Sequence, residues 1–286
     1  MNAGLPLRNV LVTGASSGIG KAIAEELARA GMNVFAGVRR LSRRQAEPRI
    51  QEILLDVTVP DSIEAAVVEI TGRMGNGGLD ALINNAGIGT ISPAEFTSPA
   101  AMRRVFDVNV FGLLEVTQTF LPLLHKSKGS IVNIGSIGGM ITMPFGAALC
   151  ASKHSVEAIS DALRMELKAS GIRVSLIQPA SINSGAAEKL AAETDATVSA
   201  LPPEGRERYG TLLTGFSKKM LADETAGSPP GVVAAAVLEN LMNPAPPSRR
   251  VVGKHALLLR FLARHVPASL RERILRQIFL SKSTSR

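Results

Sequence analysis

A short apolar run, Asn9 to Val12, leads directly into Thr13-Gly14-Ala15-Ser16-Ser17-Gly18-Ile19-Gly20, and a helically periodic stretch follows from Lys21 to Ala30. Few folds accommodate that succession. The apolar run, with its β-branched residues, suits a buried parallel strand. The glycines serve a tight turn, a close approach of backbone to pyrophosphate, and close helix packing. The helix then presents its free N–H groups to the phosphates. A glycine-rich turn alone says little. Between a strand and a helix it has the context that a dinucleotide-binding loop requires.

The same alternation continues. Strands are expected at Asn33 to Val38, Glu52 to Leu55, Leu79 to Ile83, Gly129 to Ile134 and Arg173 to Gln178, with a last one at Arg249 to Gly253. Helices are expected from Asp61 to Met74, with Asp61 or Ser62 near the cap, from about Ala100 to Lys126, and from about Ala147 to Ser170. Such an order predicts an α/β chain, a Rossmann-type doubly wound parallel sheet. With 286 residues, one large domain is expected. We divide it into a nucleotide-binding body over 1–248, with a helical substrate lid at 185–230, and a basic extension over 249–286. Ligands of such sheets bind outside the carboxyl ends of the strands.

The end of the second strand selects the nucleotide. An acid there would hydrogen-bond a free ribose 2′-hydroxyl. This chain has Gly37-Val38-Arg39-Arg40 instead, and guanidinium groups suit a 2′-phosphate through bidentate contacts. NADP(H) is therefore expected over NAD(H). No metal site is expected.

Over residues 9 to 184 the chain resembles the short-chain dehydrogenase/reductase family. Gly14, Ser16, Ser17, Gly18, Ile19 and Gly20 fall on its cofactor loop. Asp56, followed by Val57, falls where the family contacts adenine. Asn84-Asn85-Ala86-Gly87 resembles the segment that steadies the sheet beside the nucleotide. The resemblance further implies that Asn109 supports a proton-relay water, that Ser136 polarises the substrate oxygen, and that Lys153 holds the nicotinamide ribose. Pro179 to Ser184 is similar to the segment that clasps the nicotinamide amide. Ala180 stands there where glycine is usual, Ile182 lies within it, and Ser184 replaces a threonine.

One position departs from the pattern. The family places a tyrosine four residues before the lysine, on the same helix face, as proton donor and acceptor. Here that position is Leu149, which has no proton to give. Cys150 and His154 lie on other faces of the helix, and the chain's one tyrosine, Tyr209, falls in the lid. Three readings stay open: a deliberately inactivated reductase, an enzyme whose proton comes by another route through Lys153 and Asn109, or a non-redox isomerase, cyclase or binding protein that keeps the nucleotide as a structural group. The leading expectation is an NADP(H)-dependent oxidoreductase acting on a carbonyl or hydroxyl of a mid-sized, fairly apolar substrate.

Helical fragments are expected in the lid at Ala186 to Glu193 and Gly210 to Leu221, and Tyr209, Leu213, Phe216 and Met220 are candidates for the pocket lining. The net charge of +8 is concentrated in the tail: from Arg249 onward ten Lys/Arg meet a single acid, Glu272, leaving 22 basic against 23 acidic residues elsewhere. A nearly neutral body argues against nucleic acid as partner. The tail predicts basic amphipathic helices at Ala256 to Val266 and Ser269 to Leu280, which either pack on the body or a partner subunit, the preferred reading, or lie on an anionic membrane surface. A homodimer or homotetramer through helices around 103–126 and 150–170 is what the resemblance implies. A single cysteine, no apolar run of membrane-spanning length and no signal-peptide pattern lead to a cytoplasmic expectation.

Overall fold

A computed structural model describes residues 9–42 and 47–280. The chain runs β1 (Asn9–Thr13), α1 (Gly18–Arg29), β2 (Asn33–Val38), β3 (Ile50–Leu54), α2 (Pro60–Met74) and β4 (Ala81–Asn84). After these come α3 (Pro99–Phe106), α4 (Leu113–Ser127), β5 (Ser130–Ile134), α5 (Ala147–Glu166) and β6 (Arg173–Pro179). The remainder is α6 (Ala186–Ala200), α7 (Pro203–Thr225), α8 (Gly231–Met242), β7 (Arg249–Val252), α9 (Ala256–His265) and α10 (Ala268–Leu280).

All seven strands are parallel, in the order β3-β2-β1-β4-β5-β6-β7. The chain builds outward from β1 through β2 to β3, then crosses back to add β4 on the other side. That reversal opens a crevice at the carboxyl ends of β1 and β4. The strand side chains alternate between two layers. Val10, Val12, Val34, Ala36 and Ile83 pack with Ile23, Leu27, Val233 and Val237 of α1 and α8. Leu11, Phe35, Leu82 and Ile131 face the other way, toward Ile63, Ile70 and Phe120 of α2 and α4. Burial on both faces explains why these strands read as continuous apolar runs.

Three local expectations need correcting. The α2 helix is capped by Val59 rather than by Asp61 or Ser62, and Pro60 opens its first turn, where a missing N–H costs nothing. The Ser62 hydroxyl is drawn off to accept the Asp56 N–H at 2.9 Å. The expected continuous helix over 100–126 is broken by a wider π turn, Asp107–Gly112. Gly112 lets that turn sit under the loop after β3, since a Cβ there would lie 2.6 Å from the Val57 carbonyl oxygen. The lid helices also outrun the expected fragments at Ala186 to Glu193 and Gly210 to Leu221. Mutual packing extends them, with Thr194 on α6 donating to the Ser217 hydroxyl on α7 at 2.8 Å.

The first residues of the basic tail belong to the sheet, because β7 pairs along β6. Arg249 bridges to Glu157 at 3.0 Å and to Asp161, both on α5, and Arg250 pairs with Glu239. Beyond β7, α10 turns Leu275 inward and sets the Phe279 ring 5.5 Å from Phe216 of the lid.

Candidate active site

The crevice is walled first by the turn between β1 and α1. Gly14 has φ +64°, a left-handed conformation that favours glycine. Gly20 has no room for a side chain: a Cβ would lie 2.3 Å from both the Asn85 amide nitrogen and the Gly14 carbonyl oxygen. Asn85 secures this turn, its Nδ2 donating to the carbonyls of Thr13 at 2.9 Å and Gly14 at 3.2 Å. The Thr13 hydroxyl in return accepts the N–H groups of Asn85 and Ala86, each at 3.0 Å. Ser17, at the N-cap of α1, makes no side-chain cap, and the first turn holds no acid. The leading N–H groups of α1 are thus left for a phosphate. Ser16 is exposed on the same turn and Ile19 is half-buried behind it.

At the end of β2, Arg39 and Arg40 are exposed, and neither has a partner among the described residues. Asp56 is less free, its carboxylate accepting the Thr58 N–H at 3.0 Å and the Thr58 hydroxyl at 2.7 Å. Val57 is buried beside it. The uncapped helix, the glycine-containing turn and the guanidinium groups left without a partner among the described residues together fit a nicotinamide dinucleotide.

The residues expected to do chemistry converge at the ends of β4, β5 and α5. Asn109 sits in the π turn, a form of helix frequent at functional sites. Its amide is fully used: Oδ1 accepts the Ile88 N–H at 2.8 Å, and Nδ2 donates to the Ile88 carbonyl and to the Ser152 hydroxyl, both at 2.9 Å. Ser152 in turn donates to the Leu149 carbonyl at 2.7 Å. One chain of bonds therefore fastens the π turn to α5 at residue 149. Lys153 donates to the Ile134 carbonyl at 2.9 Å, and burial lowers its pKa from 10.5 to about 8. A Cβ on Gly87 would lie 3.3 Å from Asn109 Oδ1 and 3.6 Å from Lys153 Nζ, so the three share one small space. The Ser136 hydroxyl accepts the Gly138 N–H at 3.0 Å, which leaves its own proton to donate.

Leu149 faces Gly89 and the lid, where a Cβ on Gly89 would touch Leu149 at 3.4 Å and Leu190 of α6 at 3.8 Å. None of the neighbouring protic groups replaces a phenol there. Cys150 is buried, its thiol raised by that burial. His154 points its Nδ1 at the Cys150 carbonyl, 2.8 Å away. The Tyr209 hydroxyl donates to Glu95 at 2.8 Å, which pushes its pKa up. Of the pocket-lining candidates, Leu213 and Phe216 are wholly buried in the lid's own core with Ile91, while Met220 packs partly against it.

Behind the site, Ala180 and Ile182 continue past Pro179. The Ala180 N–H donates to the Val252 carbonyl at 2.8 Å, and Ile182 is buried. Ser184 brings in a residue that local sequence gives no sign of. Glu224, at the end of α7, accepts the Ser184 hydroxyl at 2.8 Å, the Ser184 N–H at 3.0 Å and the Ala186 N–H at 2.9 Å. The Ser184 carbonyl also closes over the phosphate turn, 2.9 Å from where a Gly18 Cβ would be.

Comparison with known proteins agrees with this geometry. The family model described as short chain dehydrogenase matches residues 8–195. Retinol dehydrogenase 16 of Mus musculus is 38% identical over 221 residues, 74% of this chain and 69% of that protein. For further rodent retinol dehydrogenases the match spans 55% of their length. A short chain dehydrogenase from Burkholderia cenocepacia J2315, solved in complex with NADP, is 25% identical with a TM-score of 0.69 over 96% of this chain and 98% of that one. A short chain dehydrogenase/reductase from Burkholderia phymatum, solved in complex with NAD, shares the fold at a TM-score of 0.76, with 99% of each chain covered and 23% identity. Sequence and architecture lead to one conclusion: the chain belongs to the short-chain dehydrogenase family of oxidoreductases.

Proposed function

We propose that the protein is an NADP(H)-dependent oxidoreductase for the carbonyl or hydroxyl group of a mid-sized apolar substrate, in which Lys153 takes over the proton handling that a tyrosine would perform. The observation that carries this reading is Leu149 in the tyrosine's place on α5, four residues before a Lys153 held at 2.9 Å on the Ile134 carbonyl, where burial lowers its pKa to about 8. A nicotinamide dinucleotide held by the turn at Gly14 and Gly20 and by Arg39 and Arg40 would supply or take the hydride. Everything else falls to the chain. Ser136, its oxygen held by the Gly138 N–H, aims its proton at the substrate oxygen. Lys153 gives up and regains a proton near neutral pH, the condition for effective general acid–base work. Asn109 positions α5 through Ser152. Leu149 and Leu190 present an apolar wall, in keeping with a substrate such as the one retinol dehydrogenase 16 is named for.

Arg39 and Arg40, without a partner among the described residues at the β2 end, support NADP(H) over NAD(H). A homodimer or homotetramer is in keeping with exposed Phe111 and Met165, large apolar residues on the helical faces the family resemblance points to. A cytoplasmic location suits a lone, buried cysteine. The test is a fluorescence titration of NADPH and NADH against the parent and the Arg39→Ala/Arg40→Ala double variant. The reading expects a preference for NADPH of at least about tenfold, and its loss in the variant, since charge-assisted contacts to a phosphate are among the strong ones. Equal affinity for both nucleotides in the parent would overturn the NADP(H) assignment.

A further inference from the structure

Twelve large apolar side chains stand exposed among the described residues, and five of them, Leu257, Leu258, Phe261, Leu270 and Ile278, lie in α9 and α10. Leu257 is 67% exposed and Phe261 56%. These two fall four residues apart, on one face of α9. The only side chain α9 buries is Ala256, so most of its apolar surface is turned away from the body. Arginines are interleaved with that surface. Arg260 and Arg264 on α9 and Arg273 and Arg276 on α10 are all exposed, and none meets a carboxylate among the described residues. In contrast, Arg249 and Arg250, closer to the sheet, are both paired. The two helices are held as a unit by Arg271, which donates to the Ala263 carbonyl at 2.8 Å.

We propose that α9 and α10 dock on an anionic phospholipid surface, with Leu257, Leu258 and Phe261 entering the interface and Arg260 and Arg264 meeting lipid phosphates. Exposed apolar residues beside same-sign charges on a helix are the pattern of an interfacial helix. A second copy of this chain is the weaker occupant. A two-fold interface places each patch against its equal, which would bring the arginines of two copies together with only one exposed acid per copy on these helices, Glu272, to offset them. A plane of anionic headgroups supplies the counter-charge. Among the described residues no helix is long and apolar enough to cross a membrane. The docked helices join the lid through Phe279 on Phe216, which places lid and lipid on one side of the molecule. That link to substrate delivery rests on the apolar-substrate reading; the docking itself does not.

The experiment is co-sedimentation of the full chain with phosphatidylserine/phosphatidylcholine vesicles and with pure phosphatidylcholine vesicles, at low and high salt. Binding to the anionic vesicles only, weakened by salt, is expected. Phe261→Asp and the Arg260→Glu/Arg264→Glu pair should each lower partitioning by about tenfold or more, while NADPH affinity and melting temperature stay unchanged. The unchanged NADPH affinity shows that the variants are folded, and because sedimentation needs no turnover, failure of docking and failure of the redox reading are separable. Absence of binding to anionic vesicles overturns the proposal, as does equal binding to neutral ones. A Phe261→Asp variant that sediments normally but changes oligomeric state would assign the face to a second copy instead.

Discussion

Glu224 and Ser184 are forty positions apart in the chain, yet the serine hydroxyl donates to the glutamate at 2.8 Å. Through that contact the last turn of α7 holds the segment after β6 in place over the phosphate turn. The carboxylate also takes the N–H groups that open α6, a stabilising position for a negative charge.

Glu224→Ala should therefore release the lid without touching the chemistry. We expect it to lower stability by about 1.5–3 kcal/mol, the range for hydrogen bonds to a charged group, and to raise the KM for the dinucleotide more than it lowers kcat. Glu224→Gln, which keeps an acceptor, should recover part of both. Limited proteolysis across 185–230 and steady-state kinetics read the two effects.

The lowered pKa of Lys153 makes stability depend on pH. Below about 8 the folded protein carries the full cost of a buried ammonium. Between about 8 and 10.5 the unfolded chain binds more protons than the folded one, so stability rises with pH across that window. Urea unfolding of the cofactor-free protein should show a gain of up to about 3 kcal/mol over the window, and Lys153→Met should remove this gain. The same titration should appear in turnover, with reduction slowing above pH about 8 as the proton is lost.

Gly20 tolerates no side chain. Gly20→Ala sets a methyl 2.3 Å from Asn85 Nδ2 and from the Gly14 carbonyl oxygen, so the turn must shift. Overpacking of this kind typically costs about 1–3 kcal/mol. Because the shift falls on the phosphate turn, NADPH affinity should fall by about tenfold or more as the N–H groups move out of register. Calorimetric titration would show it.

Tyr209 is the tempting substitute for the missing phenol, being the only tyrosine in the chain. Its hydroxyl is instead committed to Glu95, and its ring stands edge-on to Phe96 and Phe145. Tyr209→Phe should leave the rate of NADPH oxidation and its pH profile unchanged.

The sheet was legible because its strands are buried on both faces and therefore appear as unbroken apolar runs, as in Val10 to Val12. Gly14 and Gly20 were legible for a related reason, being part of a turn a few residues long between a strand and a helix, while Asn85, Ser136 and Lys153 were picked out by the family resemblance. The π turn was not. Asn109 and Gly112 are poor helix formers, but the turn lies close against Val57, a contact across the fold that local sequence does not reveal. Glu224 was equally hidden, since its partners become neighbours only once α6 and α7 have folded back on each other. The α9 face was half legible: periodicity showed an amphipathic helix, while the unburied side of Leu257 and Phe261 needed the tertiary structure.

We propose that Leu149 stands in the place of a phenol in a redox site that still moves hydride, with Lys153 handling the proton. The most direct measurement follows NADPH absorbance with the parent and Leu149→Tyr against a panel of apolar aldehydes and ketones. The parent should oxidise NADPH, its rate falling above pH about 8 with the lysine, and the variant should gain about 10²-fold or more, the contribution of a positioned acid. A parent that binds NADPH but never oxidises it on any of these substrates, whatever the tyrosine variant does, would contradict the account.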